Sequence, residues 1–198
     1  MMGCHIKSGV RGFTLIELMV TVSIAAVLML VAVPSLTAFR RNAELTSVAN
    51  KVTSSINAAR GEAMKRNMNA VMVPLDNGAS WDVGWAAFVD KTAARSATFN
   101  PSAEGIVSTQ EAVPSGITVS GNGTAAGAVP YIMFNGSGFS RDKAGGFGAL
   151  AFHIRRTDVP VADQPGQTRF VIVSRTGRVR VCKPASASDP DCKATLNE

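Results

Sequence analysis

The sequence predicts an α+β chain: a long N-terminal helix, membrane-embedded in its first half, packed through its second half on a C-terminal antiparallel β-sheet domain. Three observations predict this. From Phe13 to Phe39 the only charged side chain is Glu17. From Leu45 to Ala63 apolar residues recur in steps of three or four, the period of a helix face. Beyond residue 67, short β-rich runs alternate with Gly, Pro, Asn and Ser.

The first segment is long enough to span a bilayer. A helix over residues 13–39 would rise roughly 40 Å at about 1.5 Å per residue, and about 20 apolar residues suffice. Lys7 and Arg11 precede it, so the positive-inside tendency keeps the leader cytoplasmic and sends the bulk of the chain outward. The order of basic leader, Gly12 and apolar run excludes an ordinary secretory signal, which is cut after its apolar region. Glu17 needs a partner, because an intramembrane carboxylate is costly unless paired. No Lys, Arg or His lies between Phe13 and Phe39, so the partner cannot be local.

At these residues, from Gly12 and Phe13 through Glu17 to Pro34, the chain resembles the type IV pilin and type II secretion pseudopilin families. The resemblance implies a pilin-like fold and cleavage by a prepilin peptidase between Gly12 and Phe13. It further implies methylation of the new N-terminal Phe13 and pairing of Glu17 with the terminal amine of an adjacent subunit. Pro34 matches the helix-kinking proline of these families. The implied organisation is a leader at 1–12, an apolar assembly helix at 13–39, its amphipathic continuation at 40–66 and a β-rich domain at 67–198. The implied partners are membrane lipid before assembly and other pilin or pseudopilin subunits afterwards. The implied location is the inner membrane with a periplasmic domain, then the pilus surface.

In the second helical half, Leu45, Val48, Val52, Ile56, Ala59 and Ala63 form the apolar stripe expected to pack on a sheet, while Arg41, Lys51, Arg60 and Lys65 take other faces. Arg60 and Glu62 read as helix-surface charges. Asp76-Asn77-Gly78 signals a turn. Strands are expected at 70–73, 84–89, 117–120, 131–134, 149–154, 169–174 and 178–182, with loops at 93–104 and 120–128. Gly121-Asn122-Gly123 lacks the Lys and helix of a phosphate loop.

The formal charge is +6, and its distribution is uneven. Residues 40–138 hold eight basic and seven acidic side chains, whereas 139–183 hold nine basic residues against Asp142, Asp158 and Asp163. A basic cluster of this kind suits a polyanion. Removal of the leader would leave His153 as the one histidine, and no nucleophile, paired-carboxylate or metal-ligand pattern stands out, so neither an enzyme nor a cofactor is expected. Cys4 falls in the leader, leaving Cys182 and Cys192 as an even pair in a domain expected to face an oxidising compartment. A disulfide between them is the expectation, with about 3 kcal/mol of stabilisation in the chain-entropy account. The sequence leaves open whether it forms, and whether Met1 or Met2 starts the chain.

The last hairpin, 169–182, carries the sharpest chemical signal. Arg175-Thr176-Gly177 connects two alternating strands and supplies Gly where positive φ is needed. Val179 and Val181 are expected to enter the core, with Arg178 and Arg180 about 7 Å apart on the other face. Gly177-Arg178-Val179-Arg180 before Cys182, with Ala58 to Ala63 upstream, resembles the FimT/GspH-type minor pilins. Competence proteins of that group contact DNA through a Gly-Arg-x-Arg motif. The resemblance implies DNA binding at Gly177, Arg178 and Arg180, joined by Arg175 and by Lys183, Arg155 and Arg156 of the basic cluster. The alternative is a structural minor pseudopilin of a type II secretion machine, which binds no nucleic acid.

Overall fold

The computed structural model describes residues 12–78, 80–91, 95, 97–100, 105–186, 189 and 192, apart from the side chains of Val31 and Pro34. The expected leader, with Cys4, Lys7 and Arg11, lies outside the described residues except for Gly12, as does the Pro34 side chain on which the expected kink rests. The chain divides into two compact units, Met1–Arg40 and Arg41–Glu198.

In the first unit Thr14 starts helix α1 (Leu15–Arg66). Its carbonyl accepts from Leu18 N–H at 3.1 Å, and its hydroxyl accepts from Glu17 N–H at 3.2 Å. Thr14 and Glu17 thus stand in the spacing of a capping box, with the carboxylate at the positive end of the helix dipole. The hydroxyls of Thr21 and Ser23 donate back to the carbonyls of Leu18 and Met19 at 2.9 and 2.8 Å, which satisfies them without water. Every described large apolar side chain from Phe13 to Phe39 is exposed, from 50 % at Val20 to 81 % at Phe13. By length and composition this is a helix able to cross a membrane.

The second unit contains the core. Leu45, Val48, Val52, Ile56, Ala59 and Ala63, the predicted stripe, are all buried. The helix ends at Arg66 because Asn67 adopts φ 52° and Met68 N–H reaches back to Ala63 O at 3.1 Å, a left-handed C-terminal cap. The strands are β1 (Ala70–Pro74), β2 (Trp85–Val89), β3 (Gly105–Gln110), β4 (Ile117–Gly121), β5 (Ile132–Phe134), β6 (Ser140–Arg141), β7 (Leu150–Arg156), β8 (Thr168–Val173) and β9 (Val179–Cys182). They form two antiparallel sheets, ordered β3-β2-β1-β5-β6 and β4-β7-β8-β9. The helix stripe, Met72, Trp85, Ile132 and Phe134 of the first sheet, and Phe152, Ile154, Val171 and Val173 of the second form one cluster. Trp85 Nε1 donates to buried Ser55 Oγ at 2.9 Å, and Trp81 stacks edge-on against Phe152 at 4.9 Å, so both indoles are fixed in that core.

The first sheet is also covered on its far face. Val71, Val73, Phe88, Met133, Tyr131 and Ala97 make a second cluster, with Phe99 packed on it. Three expectations change here, the first being the two-residue strand β6, which was not expected. β3 was not expected, because Gly105 to Gln110 is an edge strand whose residues are only partly buried and whose alternation is weak. The stretch 120–128 is not merely a loop: Gly123–Ala125 forms a turn of 3₁₀ helix, and its Ala125 carbonyl accepts from Trp81 Nε1 at 2.9 Å.

Candidate nucleic-acid interface

The hairpin is shaped by its turn. β8 and β9 pair from Phe170 opposite Cys182 to Val173 opposite Val179, and Ser174 N–H donates to Arg178 O at 2.9 Å. Gly177 N–H then returns to Ser174 O at 2.9 Å, with Gly177 at φ +78°. A left-handed conformation costs a residue bearing a Cβ roughly 1–2 kcal/mol. The space is closed as well: a Cβ on Gly177 would lie 2.1 Å from Gly138 O and 2.6 Å from Arg60 Nε. Gly177, expected among the DNA contacts, is buried, and its visible work is to let the turn approach the helix.

Arg60 makes that approach specific. Its Nε donates to Gly138 O at 2.9 Å and its Nη2 to Thr176 O at 3.3 Å. Ser140 N–H donates to Arg175 O at 3.1 Å, so the turn is also tied to the other sheet. The expectation that Arg60 is a helix-surface charge is therefore corrected. Its neighbours Ala58, Ala59 and Gly61 are small, and that local lack of bulk was the available sequence signal. Glu62 does face solvent beside Lys65 and Arg66, at 3.3 and 2.7 Å. The hydrogen bond from Arg66, then that from Lys65, holds its carboxyl below the ordinary value.

At the held turn, Arg175, Arg178 and Arg180 line one open groove of about 420 Å³ with Ile172, Ser174 and Thr176. Among the described residues, no acidic side chain lines it. Arg175 and Arg178 are exposed and Arg180 is half-buried. Three guanidiniums and two hydroxyls on a rigid hairpin can supply forked and single hydrogen bonds to phosphate oxygens.

The remaining expected contacts separate. Arg156 is 5 % exposed, and its Nε and Nη2 each bond Asp158 at 2.8 Å while Nη1 bonds Glu44 at 2.7 Å. It is an internal anchor between β7 and the helix, and it does not join the groove. Asp158's hydrogen bonds hold the guanidinium's proton more tightly than usual, and they lower the Asp158 carboxyl in return. Lys183 is exposed beyond the end of β9 and does not line the groove, while Arg155 is exposed on β7. Val179 packs on the core, but Val181 is 43 % exposed, contrary to expectation, because β9 is an edge strand.

Alternation along β7 and β8 directs Phe152, Ile154, Val171 and Val173 into the core and leaves His153, Arg155, Phe170 and Ile172 on the other face. His153 and Phe170 stack with centroids 4.7 Å apart and planes within 9°. Burial, then the charge of Arg155, pushes His153 below its ordinary pKa, so its ring is neutral at pH 7. Cys182 is bonded to Cys192, Cα to Cα 5.8 Å, and Cys192 lines a hollow with these rings. Among the described residues no His, Cys, Asp and Glu cluster could hold a metal.

Gly177→Ala is expected to destabilise the second unit by at least about 1 kcal/mol from backbone conformation alone. Arg60→Ala, which leaves two carbonyls without their donor, is expected to cost about 1–3 kcal/mol. Urea titration of each variant checks this. Wild-type midpoints in both would contradict the anchoring.

The family model described as "Type II transport protein GspH" matches residues 48–177, and the model of the prokaryotic N-terminal methylation motif matches residues 7–33. The first match stops at Gly177, immediately before Arg178 and Arg180. Two crystal forms of the type IV minor pilin FimU of Pseudomonas aeruginosa share the fold. They align at TM-scores of 0.51 and 0.50 and identities of 18 % and 17 %, covering 73 % and 69 % of this chain and 92 % and 91 % of theirs. The minor pseudopilin EpsH of the Vibrio cholerae type 2 secretion system aligns at 0.47 and 12 % identity, over 72 % of this chain and 99 % of its own. No curated protein sequence matches the chain. With a methylation motif at its start and a family match over most of its length, the chain belongs to the GspH family and is a minor pilin or pseudopilin of the type IV pilin class.

Proposed function

We propose that this minor pilin binds DNA without sequence preference through its last hairpin and serves DNA uptake in natural transformation. The observation that carries the reading is the convergence of Arg175, Arg178 and Arg180 on one groove beside the hydroxyls of Ser174 and Thr176. Phosphate contacts position a protein without reading bases, so the sequence tolerance of the site follows from its chemistry. Arg155 and Lys183 are exposed basic residues that can extend the contact. The second reading is a structural pseudopilin of a type II secretion machine, favoured by a family match that ends before Arg178.

In both readings prepilin peptidase cuts between Gly12 and Phe13, and Phe13 is methylated. The subunit waits in the inner membrane with its β domain in the periplasm. It then exchanges lipid for neighbouring pilin helices, with Glu17 answering the amine of an adjacent Phe13. The bare apolar surface of residues 13–39 and the position of Glu17 in the first helical turn support this.

The full-length chain in nonionic detergent, titrated with duplex DNA at low and moderate salt, is expected to bind in a salt-sensitive way. Arg178→Ala with Arg180→Ala is expected to weaken binding to all sequences alike and to lower the salt slope by about one per lost phosphate contact. Absence of binding at low salt favours the pseudopilin. Glu17→Val is expected to block entry into the fibre while the β domain stays folded, checked by recovery of sheared pili; normal incorporation contradicts the pairing.

A further inference from the structure

The outer face of the four-stranded sheet holds a second hollow, of about 310 Å³, that the arginine groove does not include. His153 and Phe170 wall it on the sheet side, Pro165 and Pro184 supply flat apolar surface, Arg155 stands at its rim and Cys192 helps close it. This face is continuous with the arginine groove. Phe170 pairs with Cys182 and Ile172 with Arg180, so the aromatic position and Arg180 are neighbours about 7 Å apart along the strands. Arg155 lies two residues beyond His153 on the same face of β7, another step of about 7 Å. Along one sheet surface the order is therefore cation, aromatic pair with hollow, cation.

That order suits one class of ligand. Single-stranded nucleic acid is bound where a positive track follows the backbone and aromatic rings receive unstacked bases. A duplex keeps its bases stacked inside and offers this hollow nothing but its backbone. The disulfide at Cys182 and Cys192 keeps the wall of the hollow in place.

We infer that this face binds single-stranded DNA, with one nucleobase entering the hollow beside Phe170 and His153 while Arg180 and Arg155 hold the flanking phosphates. The inference rests on the DNA-binding reading above and narrows it: the preferred ligand is a frayed end or a single strand, with duplex held by the arginine groove and the exposed basic residues around it and gaining nothing from the aromatic pair.

The test uses full-length chain in nonionic detergent and a thymidine oligonucleotide carrying one central 2-aminopurine, alone and as a duplex with its complement. The single strand is expected to bind more tightly than the duplex and to change the fluorescence of the probe base. Phe170→Leu and His153→Ala are each expected to lower single-strand affinity about tenfold, within the range of one lost base stack, and to leave duplex affinity unchanged. Unchanged duplex affinity also shows that a variant is folded, and His153→Ala carries the test if Phe170→Leu is not. Equal affinity for both forms, or equal losses on both in a folded variant, overturns this inference and leaves the groove reading standing. Absence of binding to either form overturns both.

Discussion

One guanidinium organises the end of the β domain. Arg60 projects from the helix and donates to Gly138 O and Thr176 O, one carbonyl from the turn after β5 and one from the turn between β8 and β9. The turns of two separate sheets are thereby held against one helix, and Ser140 N–H to Arg175 O closes the triangle. The approach is possible only because neither Gly138 nor Gly177 carries a side chain at the junction, where both adopt positive φ, 76° and 78°. The arginine groove follows from that closeness. Arg175, Arg178 and Arg180 are set on a short connection whose backbone has been immobilised, so their side chains start from fixed points.

The domain sorts its arginines by what surrounds them. Arg156 is taken up by Asp158 and Glu44, and a buried guanidinium without such partners would be strongly destabilising. Arg169 is likewise nearly buried, with Asn42, Thr46 and backbone carbonyls as acceptors. Burial lowers the affinity of Arg169 for its proton. Those two fasten the second sheet to the helix. The arginines of the hairpin tip instead line an open groove with Ile172, Ser174 and Thr176.

Much of this was legible in the sequence, for reasons that can be located. The helix stripe was readable because a period of three or four residues survives any tertiary arrangement, and all six predicted stripe residues from Leu45 to Ala63 are buried. The final hairpin was readable because Gly177 sits in a short connection between two β-rich runs, at the length such turns require. β3 was missed because an edge strand shows little alternation, and Val181 was misplaced because alternation cannot tell an edge strand from a covered one. The roles of Arg60 and Arg156 depend on partners far away in sequence: Gly138 and Thr176 for the first, Glu44 for the second. No local pattern encodes such pairs, so Arg60 read as a helix-surface charge and Arg156 as a DNA contact of the basic cluster.

The central claim is that DNA meets this protein at the immobilised hairpin tip. The most direct measurement is hydrogen–deuterium exchange of the full-length chain in detergent, with and without saturating DNA at low salt. The account predicts added protection confined to peptides spanning Ser174 to Cys182 and to the neighbouring β7 and β8. Protection on another surface with none at the tip would contradict it, as would an exchange pattern that DNA leaves unchanged.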